Sequence, residues 1–235
     1  MPAEPTVKRA IAFFDGQNLF HAARKAFGYT FPNYDPVALA ETICAKQGWE
    51  LSAVRFYTGI PEPVDDSRWN RFWNNKLAVL GTRGVFTYAR ALRYQKKTFN
   101  LPDGSQHNFL VGHEKGIDIR IALDIIRLAL DSHCDVALVF SQDQDFSEIA
   151  EEMRGIVRRQ QRWIKMASAY PSSSDYPNRR GIEKTDWIRI EKSTYDQCLD
   201  SNDYRVSYPF PSTASTSGRS MSSAPPLTNF DGSNS

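Results

Sequence analysis

The 235-residue sequence contains no long apolar run, so nothing in it reads as a membrane span. Met1 to Arg9 lacks the apolar stretch of a signal peptide, and the chain is expected in the cytoplasm. Cysteine is scarce. Cys44, Cys134 and Cys198 are far apart, with no pair at metal-ligand spacing, which argues against a thiolate metal site and suits buried thiols in a reducing compartment. His21, His107, His113 and His133 form no metal-ligand grouping either; His113 stands out only because it adjoins Glu114. An excess of charge is also missing. With 29 basic against 27 acidic residues the formal charge is +2, too small to imply a nucleic-acid partner unless the charges are unevenly placed. No internal repeat is present.

Two stretches share one pattern. Val136 to Phe140 is a continuous run of apolar residues and reads as a strand buried on both faces. It stops at Ser141-Gln142-Asp143-Gln144-Asp145, after which Phe146, Ile149, Ala150 and Met153 recur at helical spacing. Near the amino end, Ala10 to Phe14 is a second short apolar strand, ending in Asp15-Gly16-Gln17-Asn18 before another helix. In a parallel sheet these strands would deliver Asp15, Asp143 and Asp145 to the carboxyl edge, where open α/β folds bind ligands. A third acid, Asp118, opens a long apolar helix carrying Ile117, Ile121, Ile125 and Ala129. Acids converging from three separate segments point to a divalent-metal site. Taken singly, each is also a good helix cap or turn residue.

Between these stretches the spacing predicts helices over Leu19 to Phe27, stopped by Gly28, and after Asp35-Pro36, stopped by Gly48. A strand is expected over Leu51 to Thr58. A helix from Asp66 to Leu80 follows, whose stripe of Trp69, Phe72, Trp73, Leu77 and Leu80 reads as core, with Trp69 and Trp73 the candidates for a base-stacking role. Val85 to Leu92 reads as a strand, and Arg93 to Phe99 either continues it or forms a hairpin arm around Asp103-Gly104. Trp163 to Ala167 and Asp186 to Ile190 complete the strands, and Ser193 to Leu199 is a terminal helix. The alternation predicts an α/β fold, a three-layer α/β/α sandwich with a mostly parallel central sheet. Residues 1–8 are expected to be a flexible arm, 9–200 the folded domain, and 201–235 a serine- and proline-rich tail with too few apolar residues to order itself, apart from contacts by Tyr204, Tyr208 or Phe210.

Three motifs then carry a resemblance. Asp15-Gly16-Gln17-Asn18, Lys115-Gly116-Ile117-Asp118 with Asp124 six residues on, and Ser141-Gln142-Asp143-Gln144-Asp145-Phe146 together resemble the NYN family of the PIN-like superfamily of metal-dependent nucleases. Gln142 and Gln144 stand where that family usually has small residues; they remove no acid but could crowd the entrance or contact bases. The resemblance, covering roughly Ala10 to Ala169, implies a PIN-like fold and RNA cleavage with Mg²⁺ or Mn²⁺. It also implies a supporting role for Asp124, which by periodicity alone merely pairs with Arg120 or Arg127.

Metal-dependent hydrolysis of a phosphodiester needs hard oxygen ligands and a positioned water. Asp15, Asp118 and Asp143 are the expected ligands, and Asp145 is a further ligand or a carboxylate that orients water. Asn18, Ser141 and Lys115 are candidates for phosphate contact, Ser141 equally for plain turn chemistry and Asn18 for holding Asp15. Two basic stretches lack acids: Arg83 to Lys97, with Arg90, Arg93, Lys96 and Lys97, and Arg154 to Lys165. The first is favoured as substrate surface, with Tyr88, Tyr94 and Trp163 available to stack on unpaired bases. The leading expectation is an endoribonuclease acting on single-stranded or structured RNA. The alternatives are a nuclease of single-stranded or flapped DNA and a non-catalytic RNA-binding adaptor. No membrane partner is expected, and a homo-oligomer is left open.

Overall fold

The computed structural model describes residues 2–100, 106–113, 116–176 and 180–205, with the backbone alone for 94–100 and 106–113. The apolar strands come first in the argument because they build the platform. Strands β1 (Arg9–Asp15), β2 (Glu50–Ile60), β3 (Phe86–Ala91), β6 (Val136–Phe140), β7 (Lys165–Pro171) and β8 (Asp186–Ile190) form one parallel sheet in the order β3-β2-β1-β6-β7-β8. Strands β4 (Arg93–Asn100) and β5 (Gln106–His113) pair separately as an antiparallel hairpin, so the hairpin alternative is the one adopted.

Side chains alternate between the two faces of the sheet, as a period of two requires. Ala10, Ala12 and Phe14 of β1, with Val136, Leu138 and Phe140 of β6, face one core, and Ile11, Phe13, Ala137 and Val139 face the other. Helices α1 (Gly16–Phe27), α2 (Pro36–Gln47), α3 (Ser67–Thr82) and α6 (Lys192–Asp196) cover the first face. Helices α4 (Ile117–Leu130) and α5 (Ser147–Gln160) cover the second, giving the three-layer α/β/α sandwich with a parallel sheet. Phe14, one residue before the end of β1, and Phe140, the last residue of β6, stack at 4.0 Å between ring centroids.

Local signals account for most element ends. Asp35 caps α2 with proline at its first position, and Gly28 and Gly48 close α1 and α2 in the left-handed conformation that glycine adopts without strain. Trp73 and Phe72 are buried in the stripe of α3, whereas Trp69 stays partly exposed, so of these three rings Trp69 is the most open to a ligand. β7 begins at Lys165 rather than at Trp163, whose ring lies in reach of the Lys8 and Lys165 ammonium groups. Packing runs to Arg205: Tyr204 is buried edge-on against Phe72, and its hydroxyl donates to Asp200, which pairs with the fully buried Lys76. No helix among the described residues is long and apolar enough to cross a membrane.

Candidate active site

The chain leaves β1 toward β2 and β3, and leaves β6 in the opposite direction toward β7 and β8. The carboxyl ends of β1 and β6 are therefore the switch point of the sheet, where connections diverge and leave a crevice. Asp15 is the last residue of β1 and caps α1, its Oδ1 accepting from the Asn18 N–H at 3.1 Å. Gly16 is required here by space: a Cβ would lie 2.8 Å from the Phe56 ring and 3.0 Å from the Tyr57 carbonyl oxygen, so only glycine lets α1 start so close to β2.

The loop after β6 is tied to the same place. Ser141, 1% exposed, donates to Asp15 Oδ2 at 3.3 Å and accepts the Asp143 N–H at 3.1 Å. Buried under the loop, it organises the two acids, which is the turn role rather than phosphate contact. The Asn18 side-chain oxygen accepts the Gln142 N–H at 3.0 Å, binding α1 to this loop. That fixes the amide orientation and leaves the Asn18 Nδ2 donor without a hydrogen bond among the described residues. Asp143 spends Oδ1 on the Asp145 N–H at 3.0 Å, opening the single 3-10 turn Gln144–Phe146.

Asp15, Asp118 and Asp143 line one cleft of about 360 Å³, together with Gln17, Asn18, His21, Leu92 and Ile117. No lysine or arginine lies among those lining residues. Burial, the largest influence, pushes the Asp15 carboxyl up to about 6; hydrogen bonds from Asn18 and Ser141 pull it down, and the charges of Asp143 and Asp118 raise it again. The three acids thus sense one another. Even so, no three aspartate, glutamate, histidine or cysteine side chains among the described residues are grouped closely enough to hold one metal ion between them.

Other expected residues fall elsewhere. Asp145 is exposed and does not line the cleft, because residues two apart across the turn point different ways. Asp124 is buried against Arg55, Tyr57 and Arg120, accepting from them at 3.0, 2.7 and 3.2 Å, and does not line the cleft either. Burial acts most strongly on Asp124 and raises it, but these donors together hold it below the usual carboxylate range. Arg90 reaches the mouth of α4: a Cβ on Gly116 would meet its guanidinium at 2.6 Å, two residues from Asp118. Arg93 is exposed at the start of β4, just past the cleft residue Leu92. Glu114 and Lys115 lie outside the described residues, as do the side chains of Lys96, Lys97 and Tyr94.

Tyr88 is half-buried with the Arg120 guanidinium 5.3 Å from its ring centre, so it is occupied rather than open to a base. The second basic stretch is largely neutralised, with Arg154, Arg159, Arg162 and Lys165 paired to Glu151, Glu152, Asp135 and Asp186. Sequence reasoning missed His21, which lies one turn beyond Asn18 on the cleft side of α1; that spacing was the available signal. Burial, then the charges of Arg24 and Lys25, lowers its pKa. Gln142 and Gln144 neither crowd the entrance nor line the cleft. They grip the β7–β8 connection, with Gln142 Nε2 donating to the Arg180 carbonyl at 2.6 Å. Gln144 donates to the Gly181 carbonyl at 3.0 Å and accepts the Glu183 N–H at 3.1 Å.

A larger cavity of about 1060 Å³ lies against Ser172, Ser173, Arg189 and Lys192 and shares no lining residue with the acid cleft. It holds no comparable group of converging acids, so the smaller cleft is the candidate site.

The family model described as NYN domain matches residues 9–174, well over half of the chain. No curated protein matches. Among solved structures, a Vibrio parahaemolyticus protein of unknown function is 19% identical, with a TM-score of 0.47, covering 79% of this chain and 94% of that one. A ribokinase from Giardia lamblia is 10% identical, with a TM-score of 0.34, covering 73% of this chain and 54% of that one. Likenesses this distant do not bear on function.

Proposed function

Because the chain belongs to the NYN family, a branch of the PIN-like nuclease superfamily, we propose that it is a metal-dependent endoribonuclease hydrolysing RNA phosphodiester bonds at the acid cleft. One observation carries the reading: three carboxylates from three segments share a cleft that no lysine or arginine lines among the described residues, and one of them is pushed up to about 6. A carboxylate buried without a counter-ion is costly unless something positive arrives.

The donor set fits a hydrated Mg²⁺ or Mn²⁺. Its groups are hard oxygens, and Mg²⁺ keeps several waters and uses one or two carboxylates with substrate phosphates. Asp15 and Asp143 would hold the ion, with Asp118 reaching it directly or through water. Bound there, the ion supplies charge neutralisation at the phosphate and a more acidic water.

The chain's own residues do the rest. Ser141 and the Asn18 N–H fix both oxygens of Asp15. The free Nδ2 of Asn18 donates to a non-bridging phosphate oxygen, and the amino ends of α1 and α4 favour the same negative charge. Arg90 and Arg93 flank the opening and attract the strand. Asp145 takes no direct contact.

Purified protein incubated with labelled RNA and DNA pools in Mg²⁺, Mn²⁺ or EDTA tests this. Internal cleavage of RNA with either ion and none with EDTA is expected. Undiminished cleavage after chelation sinks the metal mechanism, and preferential cutting of DNA moves the substrate to the other sugar.

A further inference from the structure

The acid cleft is one end of a longer path. It shares Gln17 and Leu92 with a second cleft of about 370 Å³, which shares Thr30 and Trp69 with a third of about 400 Å³. The path lies between α1 and α3, and from Gln17 to Arg24 alone it runs about 10 Å along the helix.

Charge changes sign along it. The first cleft carries three acids and no lysine or arginine among its described lining residues. Arg24 and Asp66 line the second, but Asp66 is turned to the start of α3, accepting from the Arg68 and Trp69 N–H groups at 3.1 and 3.0 Å. Arg68, Arg71 and Arg205 line the third, with no acid among its described lining residues, and Arg205 is paired with Asp203 at 2.7 Å. The guanidinium groups of Arg24 and Arg68 have no hydrogen bond or ion pair among the described residues. At the junction of the second and third clefts stands the half-buried Trp69, its ring held against Phe20 and Phe72 at 6.1 and 5.1 Å.

We propose that this path from Leu92 through Trp69 to Arg68 and Arg71 binds an unpaired RNA strand extending from the scissile phosphate to one side only. The proposal rests on the nuclease reading and assigns the substrate to that same site. A polyanion meets arginines where it leaves the acids, and a fixed indole offers a stacking plane to any base. A duplex keeps its bases inside the helix, where Trp69 cannot meet them, so the occupant is a single strand. The stripe tryptophan that the sequence left between core and stacking thereby acquires a role.

Binding in EDTA separates the two ideas, because the arginines, not the ion, hold this strand. Fluorescence anisotropy would use a labelled unpaired RNA of about ten nucleotides and its duplex, while cleavage of the same RNA by wild type in Mg²⁺ is followed in parallel. Wild type is expected to bind the unpaired strand more tightly than the duplex. Trp69→Ala should weaken it between about 5- and 150-fold, with Trp69→Phe close to wild type. Arg24→Gln with Arg68→Gln, both exposed and harmless to folding, should reduce the slope of log affinity against log salt by about 1.4. If Trp69→Ala lowers the melting temperature, the arginine pair decides. Wild-type binding and salt slope in that pair, equal affinity for duplex, or no binding in EDTA each overturns the path while Mg²⁺-dependent cleavage leaves the nuclease reading standing. Failure of wild type both to bind and to cleave overturns both.

Discussion

The two edges of the central sheet treat buried carboxylates in opposite ways. At the amino edge Asp135, just before β6, accepts from the Arg9 backbone and guanidinium at 3.0 to 3.2 Å and from Arg162 at 3.3 Å. Burial acts most strongly on Asp135 and raises it, but the two arginines outweigh burial and hold it below the usual range. At the carboxyl edge Asp15 has only neutral donors and acidic neighbours, and it is pushed up to about 6. Both are little exposed, but Asp15 lies far deeper among protein atoms and has no counter-ion. An acid paired with arginine holds the fold together, whereas one without a counter-ion is where the proposed cation would bind.

The sharpest break in that comparison is Asp143→Asn. Size and capping ability are kept, since asparagine caps a helix nearly as well, so the fold and melting temperature should hold. Single-turnover cleavage should fall at least about 100-fold and the Mn²⁺ titration should flatten. Near-normal cleavage would reduce Asp143 to a cap.

Next comes Asp15→Asn, where the sign is opposite to most core changes. The folded pKa of about 6 lies above the ordinary value of 3.8, so the Asp15 contribution to the stability of the metal-free protein is fully present below 3.8 and is lost as pH rises through about 6. Removing the charge should therefore stabilise the apoprotein by at most about 3 kcal/mol at pH 7.5, and by little at pH 3.5. Melting temperatures of variant and wild type across this range, in EDTA, read the difference; a destabilised variant at pH 7.5 would show that the hydrogen bonds outweigh the stranded charge.

Asp135→Asn should do the reverse, costing about 2 kcal/mol near neutral pH because charged hydrogen bonds are lost. Since the Asp135 pKa is lowered, its contribution exists above the unfolded value and vanishes as pH falls through the folded one. Cleavage per folded molecule should not change, and a large loss of turnover would show that the two edges are coupled.

What could be read in advance divides along the same physical lines. Val136 to Phe140 was legible because five consecutive apolar residues leave a strand no solvent face, and Asp35-Pro36, Gly28 and Gly48 because caps are local. Asp15, Asp118 and Asp143 were legible as a set because parallel strands and a helix start at one edge must converge. The pairing of Asp124 with Arg120 was legible from helical spacing, but its other partners, Arg55 and Tyr57, lie about 70 residues earlier in the chain, so its burial among all three was not. Asp145 stands outside the cleft because its place in the 3-10 turn is set by local geometry that alternation does not reveal, and His21 lines it with no grouping of histidines in the sequence to signal it. The roles of Gln142 and Gln144 depended on a loop some 40 residues away.

The smallest expected effect concerns that loop. Gln144→Ala removes two hydrogen bonds to it and should lower stability by about 1 kcal/mol, measured by urea titration, with cleavage falling less than for any acid.

The grip of Gln142 and Gln144 falls on main-chain atoms: the carbonyls of Arg180 and Gly181 and the N–H of Glu183. A clamp that reads only backbone is indifferent to the side chains it holds. Arg180 and Glu183, which pair with each other, can change while the loop keeps its seat. Gly181 is the exception, for a Cβ there would meet Ser168 Oγ at 2.4 Å and the Trp187 ring at 2.6 Å. The connection is thus seated by two glutamines, Gly181 and the fully buried Ile182, whose N–H donates to Ser168 Oγ at 3.1 Å, while the exposed side chains of Arg180 and Glu183 are replaceable without disturbing the acids.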